Sequence, residues 1–279
     1  MSGTFHHKGR SRKTQHWIAS GVISLGVWLS AGPANADGYS ARSGLPGQHT
    51  LQNALDGAVG ASGNGGLGFN MWATIVANDG TVCAVAVSGS SLTSQWLGSR
   101  IISAQKANTA NDFNIGQDGR KGAFALSTAN LYSAVQPGGS LYGLQHSNPV
   151  DPAVAYEGNS SLFGTANYPL VGSRAGGVNV FGGGLGLYKS NGVKVGGVGV
   201  SGDTSCTDHM IAWRVRNTLM LDHLGTVGGV SGDPTHPDNI IFDIAPNTYG
   251  GTGISAGGFG HPTCLNPPDL STLPAVRNP

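Results

Sequence analysis

The chain has 279 residues, only 10% of them charged, and its formal net charge at pH 7 is +1. Nucleic-acid binding needs a strongly basic surface, so this charge balance argues against a nucleic-acid partner. Glycine supplies 47 residues, which predicts many tight turns. A nearly neutral surface resists association poorly, so a homo-oligomer is expected.

The first 36 residues have the three regions of a secretory signal peptide. A basic stretch precedes an apolar, uncharged run of about 16 residues from Trp17 to Gly32, and Ala34 and Ala36 then form the small-x-small cleavage pattern. The apolar run is shorter than the roughly 20 residues that span a membrane as a helix, and no later segment is a better candidate. The sequence therefore predicts cleavage after Ala36, a secreted or periplasmic protein, and no membrane span in the mature chain.

Helical and strand periodicities alternate along the first half of the mature chain. The turn Asn78-Asp79-Gly80 between two β-branched runs predicts a hairpin. In chain order, the predicted elements are a helix over Gln48–Val59, a glycine loop over 60–68, strands at Met71–Val76 and Val82–Val87, the longest helix over Thr93–Phe113, a third helix over 123–135, and an irregular insert over 137–174.

The second half repeats this pattern and ends in a segment rich in glycine and proline. Its predicted elements are strands at Gly177–Phe181, Leu185–Tyr188 and Val193–Val200, a helix over Asp208–Leu224, and a short strand near 239–244. This order predicts an α+β fold, in which helices pack on an antiparallel sheet. The expected organisation is a signal peptide (1–36), one domain (37–224) and an irregular C-terminal extension wrapped over its surface (225–279).

The junction between the last long strand and the last helix is the most informative stretch for function. Ser201, Gly202 and Asp203 form a tight turn, so backbone N–H groups and a helix start face one spot, which favours an anionic group. Asp208 is predicted first as a cap of the helix, and His209 follows it.

The three cysteines suggest one disulfide. Cys83 lies in a strand-like run and is predicted to be a small buried hydrophobe. In an oxidising compartment, Cys206 and Cys264 are then expected to pair. Closing so long a loop is worth roughly 4 kcal/mol in the chain-entropy model.

Four pieces of the sequence, in this order, resemble the GlcG/HbpS family, also called DUF336. They are Ala77-Asn78-Asp79-Gly80, Ala104-x-Lys106-Ala107-x-Thr109-Ala110-x-x-Phe113, Gly176-Gly177-Val178, and Val195-Gly196-Gly197-Val198-Gly199-Val200-Ser201-Gly202 followed by Asp208. The resemblance covers about residues 49–224. It implies a profilin-like α+β domain that assembles into oligomers and, in secreted members, is associated with heme.

The resemblance also implies where a ligand would lie. The implied cofactor-binding residues are Lys106, Thr109, Gly176, Gly177, Ser201, Gly202, Asp203, Asp208 and His209. Lys106 is expected either to be exposed or to bury its stem and pair with a propionate. His209 and His146 are the candidate iron ligands. The alternative for His209 is a solvent-facing helix residue, and the alternative for His146 is an ordinary loop residue. Asn179 replaces a proline that is usual in the family, which predicts a looser turn.

Two other motifs compete with this interpretation. Gly197-x-Gly199-x-x-Gly202 matches a dinucleotide fingerprint, but no clear parallel strand follows its helix. Gly253-Ile254-Ser255-Ala256-Gly257 matches a nucleophile elbow without the surrounding strand-turn-helix. We therefore expect a protein that binds heme, or a related anionic planar ligand, and assign no catalytic residue. Two alternatives stay open: an enzyme acting on heme or a small carboxylated metabolite, and a non-catalytic oligomeric interaction domain.

Overall fold

The computed structural model describes residues 44–114, 124–251 and 253–279; the predicted signal peptide lies outside these ranges. The helices are α1 (Gln48–Val59), α2 (Ser99–Phe113), α3 (Leu131–Ala134), α4 (Pro152–Ala155) and α5 (Ser205–Thr218). The strands are β1 (Trp72–Ala77), β2 (Val82–Val87), β3 (Phe124–Ala125), β4 (Gly184–Tyr188), β5 (Lys194–Ser201), β6 (Gly228–Gly229), β7 (Ile244–Ala245) and β8 (Ile254–Ser255). Within the described residues, no helix has the length and hydropathy needed to cross a bilayer.

The central sheet has four strands in the order β2-β1-β5-β4, and every neighbouring pair is antiparallel. The α+β class predicted from the sequence is therefore confirmed. The sheet also rules out the dinucleotide fingerprint, because that fingerprint needs a second strand parallel to β5. The short strand β6 does pair in parallel, but its partner is β3.

The glycines of β5 explain why the long helix α2 lies flat on the sheet. A Cβ added to Gly197 would lie 2.3 Å from the Ala107 carbonyl oxygen, and one added to Gly199 would lie 2.0 Å from that of Ser103. The helix backbone therefore occupies the space that side chains would fill. The alternating Val-Gly pattern thus leaves one face of β5 without side chains, and α2 packs against that face.

The other face of the sheet carries the larger apolar core. It is formed by α1 and α5 together with the opposite side chains of the strands. Leu51, Leu55, Ile75, Val198 and Trp213 are among its fully or almost fully buried members. Burying each large side chain of this kind contributes about 1.5–3 kcal/mol, so this core is the main source of stability.

The long helix α2 begins at Ser99, six residues later than predicted. Residues 91–98 form turns instead, in which the Ser91 hydroxyl accepts a hydrogen bond from the Thr93 N–H at 3.2 Å. Trp96 and Leu97, whose spacing suggested the earlier start, are 51% and 72% exposed. Serine and threonine hydroxyls compete with helical hydrogen bonds, and here they hold the chain in turns.

The predicted third helix and the predicted strand at Gly177–Phe181 are also wrong. Only Leu131–Ala134 is α-helical, after a 3-10 turn that begins with a capping box between Ser127 and Asn130. Residues 177–181 do not form a strand, because Gly176 and Gly177 have φ values of +64° and +94°. Such left-handed conformations interrupt a strand ladder.

The last helix covers Ser205–Thr218, where 208–224 was predicted. Thr204 caps its N-terminus by accepting a hydrogen bond from the Thr207 N–H, so Asp208 is not the cap. The helix ends before Met220, which has a φ of +55°. The predicted strand near 239–244 is reduced to Ile244–Ala245, paired with Ile254–Ser255.

The insert over 137–174 packs onto α2 through a shared apolar cluster and through one arginine. Arg100 is buried, its Nη1 donates to the Ala155 carbonyl at 3.0 Å, and its guanidinium lies 4.0 Å from the centroid of the Phe163 ring. Tyr156 and Tyr168 complete the aromatic surroundings at 5.6 and 5.4 Å. Cation–π contacts of this kind attach the insert to the domain.

Candidate functional site

The junction between β5 and α5 is built around a buried ion pair. Lys106 reaches from α2 to Asp208 on α5, with Nζ 2.6 Å from Oδ2, and neither side chain has any exposed surface. Nζ also donates to the Val200 carbonyl at 3.1 Å and lies 4.2 Å from the centroid of the Phe181 ring. The three N–H directions of the ammonium group are thus matched by a carboxylate, a carbonyl and an aromatic face.

The turn amides, which the sequence predicts to face an anionic group, bind the chain's own carboxylate. Oδ1 of Asp208 accepts hydrogen bonds from the N–H groups of Gly202 and Asp203, both at 3.0 Å. Asp208 therefore satisfies the turn amides and the lysine at the same time. Lys106, Asp208 and the turn amides of Gly202 and Asp203 thus join α2, β5 and α5, and we call this group of contacts the clasp.

Burial opposes the charges of this pair, and the hydrogen bonds support them. Desolvation raises the pKa of Asp208 to about 6, even though Lys106 and the turn amide of Asp203 act in the opposite direction. Desolvation likewise lowers the pKa of Lys106. Each buried charge is stabilised by its partner, so removing either residue is expected to destabilise the other's charged form.

The neighbouring Asp203 connects the turn to the glycine loop that follows α1. Its carboxylate accepts from the N–H groups of Leu67 and Phe69 at 2.9 and 3.0 Å, and from Thr204. The glycine loop after α1 is thereby fastened to the turn. Ser201, at the end of β5, is buried and lies opposite Trp72 in the ladder.

Thr109 lies one helical turn beyond Lys106 on α2, and the loop with Gly176 and Gly177 packs against that turn. The Thr109 hydroxyl donates to the Gln105 carbonyl at 2.8 Å and accepts from the Asn179 N–H at 2.9 Å. A proline at position 179 has no N–H and could not make this bond. Asn179, in place of the family's usual proline, therefore bonds the turn to α2, whereas a looser turn was predicted. Asn108 adds a hydrogen bond to the Gly177 carbonyl at 3.0 Å.

His209 is buried in the interior and not solvent-facing. Its Nε2 lies 3.1 Å from the Asn239 side-chain oxygen and 3.2 Å from the Ile240 N–H, and the buried Nδ1 has no hydrogen-bond partner within the described residues. Desolvation lowers its pKa to about 4, so the ring is neutral near pH 7. His209 therefore attaches the C-terminal extension to α5.

His146 lies elsewhere, in the insert. It ends a single 3-10 turn (Leu144–His146) and is exposed. The structure therefore gathers Lys106 and the turn residues at one junction, with His209 beside them pointing into the extension, while His146 is presented to solvent on a separate segment.

A second buried ion pair was not predicted from the sequence. Arg216 on α5 forms two hydrogen bonds with Asp238 of the extension, at 2.6 and 2.9 Å, and both side chains are fully buried. The guanidinium also lies 4.5 Å from the centroid of the Trp213 ring. The extension thus reaches the interior, where the sequence predicted a surface wrap. An arginine on the apolar face of a helix was the available signal.

The predicted disulfide between Cys206 and Cys264 is present, with a Cα–Cα distance of 6.0 Å. It connects the first turn of α5 to the C-terminal extension. Cys83 lies on β2 and is half-buried where full burial was expected, and its thiol contacts the Thr81 carbonyl at 3.4 Å.

Comparison with known proteins identifies the domain. Two similar solved structures are a PduOC–heme complex (24% identity, TM-score 0.39, 61% of this chain and 89% of that chain) and the protein ORFY of Klebsiella pneumoniae, described as DUF336 (23%, 0.39, 61% and 86%). No curated protein matches the chain. The family model described as haem degrading protein HbpS-like matches residues 49–216, which is more than half of the 279 residues. This protein belongs to the HbpS-like family.

Proposed function

We propose that this protein is exported and binds heme. The observation that carries the proposal is the family match over residues 49–216, a segment that includes the whole four-stranded sheet and most of the helices packed on it. The signal-peptide pattern of residues 1–36 supports export.

The β5–α5 junction does not fit a heme group. Lys106, Asp208 and His209 have no exposed surface, and the turn amides already bind a carboxylate. A propionate would have to displace Asp208 from the lysine and leave a buried carboxylate unpaired. Such an exchange is unfavourable by several kcal/mol. Heme binding therefore requires a different surface.

The insert is the surface we assign to heme. Among the two histidines that the sequence suggests as iron ligands, His146 is the one that is exposed. Tyr142 and Tyr156 of the same insert are 66% and 65% exposed, and aromatic faces of this kind pack well on a porphyrin. Bound there, heme would supply an iron centre, and the imidazole of His146 would supply an axial ligand.

A heme titration of the mature protein tests this assignment. We expect a Soret band for the wild type, a weaker and shifted band for His146→Ala, and no change for His49→Ala, a matched control because His49 is also exposed. Absence of a Soret band in the wild type would refute heme binding. Equal spectra for the wild type and His146→Ala would refute this site. Loss of the band on adding oxygen and a reductant would favour the enzyme alternative.

One observation favours self-association as a second function. Leu92, Trp96 and Leu97 are exposed within one short segment of the chain, and Phe69 contacts Trp96 edge-to-face at 5.4 Å. Exposed apolar side chains grouped in this way are typical of protein–protein contacts. We propose that a second copy of the chain covers them. Light scattering should give a smaller species for Leu97→Glu than for the wild type, and equal masses would count against this surface.

A further inference from the structure

The disulfide lies next to a histidine that the heme proposal does not use. Ligand atoms of Cys206, Cys264 and His261 all lie within 4.8 Å of one another, and His261 Nδ1 is 4.0 Å from Cys206 Sγ. Two sulfurs and one imidazole are ligands that Zn²⁺ prefers. In a zinc site, such atoms lie about 3.5–4 Å apart, so the bonded sulfurs would have to separate, while the other distances, which are at most 4.8 Å, would change little.

The imidazole can ligate a metal through Nδ1 after a change of tautomer, because Nδ1 now donates its proton to the Pro262 carbonyl. His261 Nε2 lies 2.9 Å from the Ser205 hydroxyl oxygen, while Nδ1 faces the sulfurs and the Pro262 carbonyl at 2.7 Å. A ligating histidine usually donates its other ring N–H to an oxygen that fixes the ring. Ser205 can accept that bond once Nδ1 is free to coordinate.

The helix start supports negative charge on the sulfurs. Cys206 is the second residue of α5, a helix of 14 residues, and its N–H lies 3.2 Å from Cys264 Sγ. The N-terminal end of a helix stabilises a thiolate. Reduction would therefore leave two thiols whose deprotonation on binding a cation is favoured by the helix start.

The cluster can be reached from solvent. Cys206 is fully buried, but Cys264 is half-buried and can be attacked by a small thiolate. A cavity of about 340 Å³ opens beside the cluster and is lined by His261, Pro262 and Thr263. This cavity is large enough to admit a hydrated ion.

We propose that the Cys206–Cys264 disulfide is a redox gate for a metal site, at which the reduced cysteines and His261 bind a thiophilic divalent cation such as Zn²⁺. A dithiol supplies the two electrons and two protons: it forms its own disulfide, and the protein gains two thiols. Binding of the cation then releases two protons, and the three protein ligands leave a fourth position open. The site is independent of heme.

Cobalt titration of the mature protein tests the gate. The protein is reduced with dithiothreitol, desalted without oxygen and titrated with Co²⁺. We expect one ion per reduced chain with thiolate-to-cobalt charge-transfer bands, displacement by Zn²⁺, and no bands for the oxidised protein. Cys264→Ser and His261→Ala should weaken binding at least about tenfold, and Ser205→Ala by about tenfold.

Cys83→Ser is the matched control, since Cys83 lies on β2 outside the cluster. This variant should bind Co²⁺ as the wild type does. The proposal is overturned if the reduced chain binds no Co²⁺, if Cys83→Ser loses the bands as Cys264→Ser does, or if circular dichroism shows that reduction unfolds the protein, since no preassembled site would then exist.

Discussion

Removal of the lysine from the buried Lys106–Asp208 pair should destabilise the protein strongly. At an effective dielectric constant of about 20, charges 2.6 Å apart attract by about 6 kcal/mol, which offsets the cost of burying them. Lys106→Met keeps most of the side-chain volume and leaves the carboxylate of Asp208 alone in the interior. Breaking one side of a buried pair typically costs about 3–5 kcal/mol, and we expect a loss of this size in the free energy of unfolding at pH 7.

The loss should shrink as the pH falls. Burial already raises the pKa of Asp208 to about 6 with the lysine present, and removing the lysine raises it further. A folded-state pKa above the unfolded value means that protonation favours the folded chain, so the variant regains stability between pH 7 and pH 5. Asp208→Asn in the same variant should also restore stability, because the amide oxygen can still accept from Gly202 and Asp203.

Urea unfolding followed by circular dichroism measures these differences. Arg174→Met is a suitable control, because the Arg174–Asp79 ion pair is largely exposed and should contribute less than about 1 kcal/mol. If Lys106→Met unfolds at the same urea concentration as Arg174→Met, or if Asp208→Asn gives no recovery, the clasp does not stabilise the junction as we argue.

Three further predictions concern pH, maturation and redox state. Relative to His209→Gln, the wild type should lose about 3 kcal/mol of stability between pH 6.5 and pH 4 in urea titrations, because His209 has a pKa of about 4 when folded and about 6.5 when unfolded; the comparison cancels the opposite contribution of Asp208, which both proteins share. The exported chain should begin at Asp37, and an intact mass that retains Ala36 and the preceding residues would contradict this. Non-reducing peptide mapping should recover Cys206 joined to Cys264, and a peptide joining Cys83 to either would be incompatible with the fold.

The elements best predicted from the sequence are those specified by local pattern. The helix Gln48–Val59 has apolar residues on one face, and its bounds agree with the prediction. The hairpin around Asp79 and Gly80 follows from turn chemistry, and the strands on either side agree within a residue. In each case, the residues that specify the element are close neighbours in the chain.

The errors come from interactions between distant residues. Asp208 looks like a helix cap in the sequence, but its partner Lys106 is 102 residues away. Trp96 fits a helical stripe, yet hydroxyl-rich turns hold its segment outside the helix. The burial of His209 depends on residues 239–240 of the extension, which have no periodic pattern of their own. Local periodicity cannot contain this information.

The Arg216–Asp238 pair has a consequence for how far the protein can be shortened. The family match ends at residue 216, which is the arginine itself, whereas its carboxylate lies 22 residues further on. A recombinant fragment cut at the family boundary would enclose a guanidinium without its counter-ion and would lose the Trp213 indole bond to the Pro274 carbonyl. Expression fragments should therefore retain the chain through Arg277, whose guanidinium contacts Asp222. We therefore expect the shortest chain that folds by itself to extend well beyond the segment that defines the family.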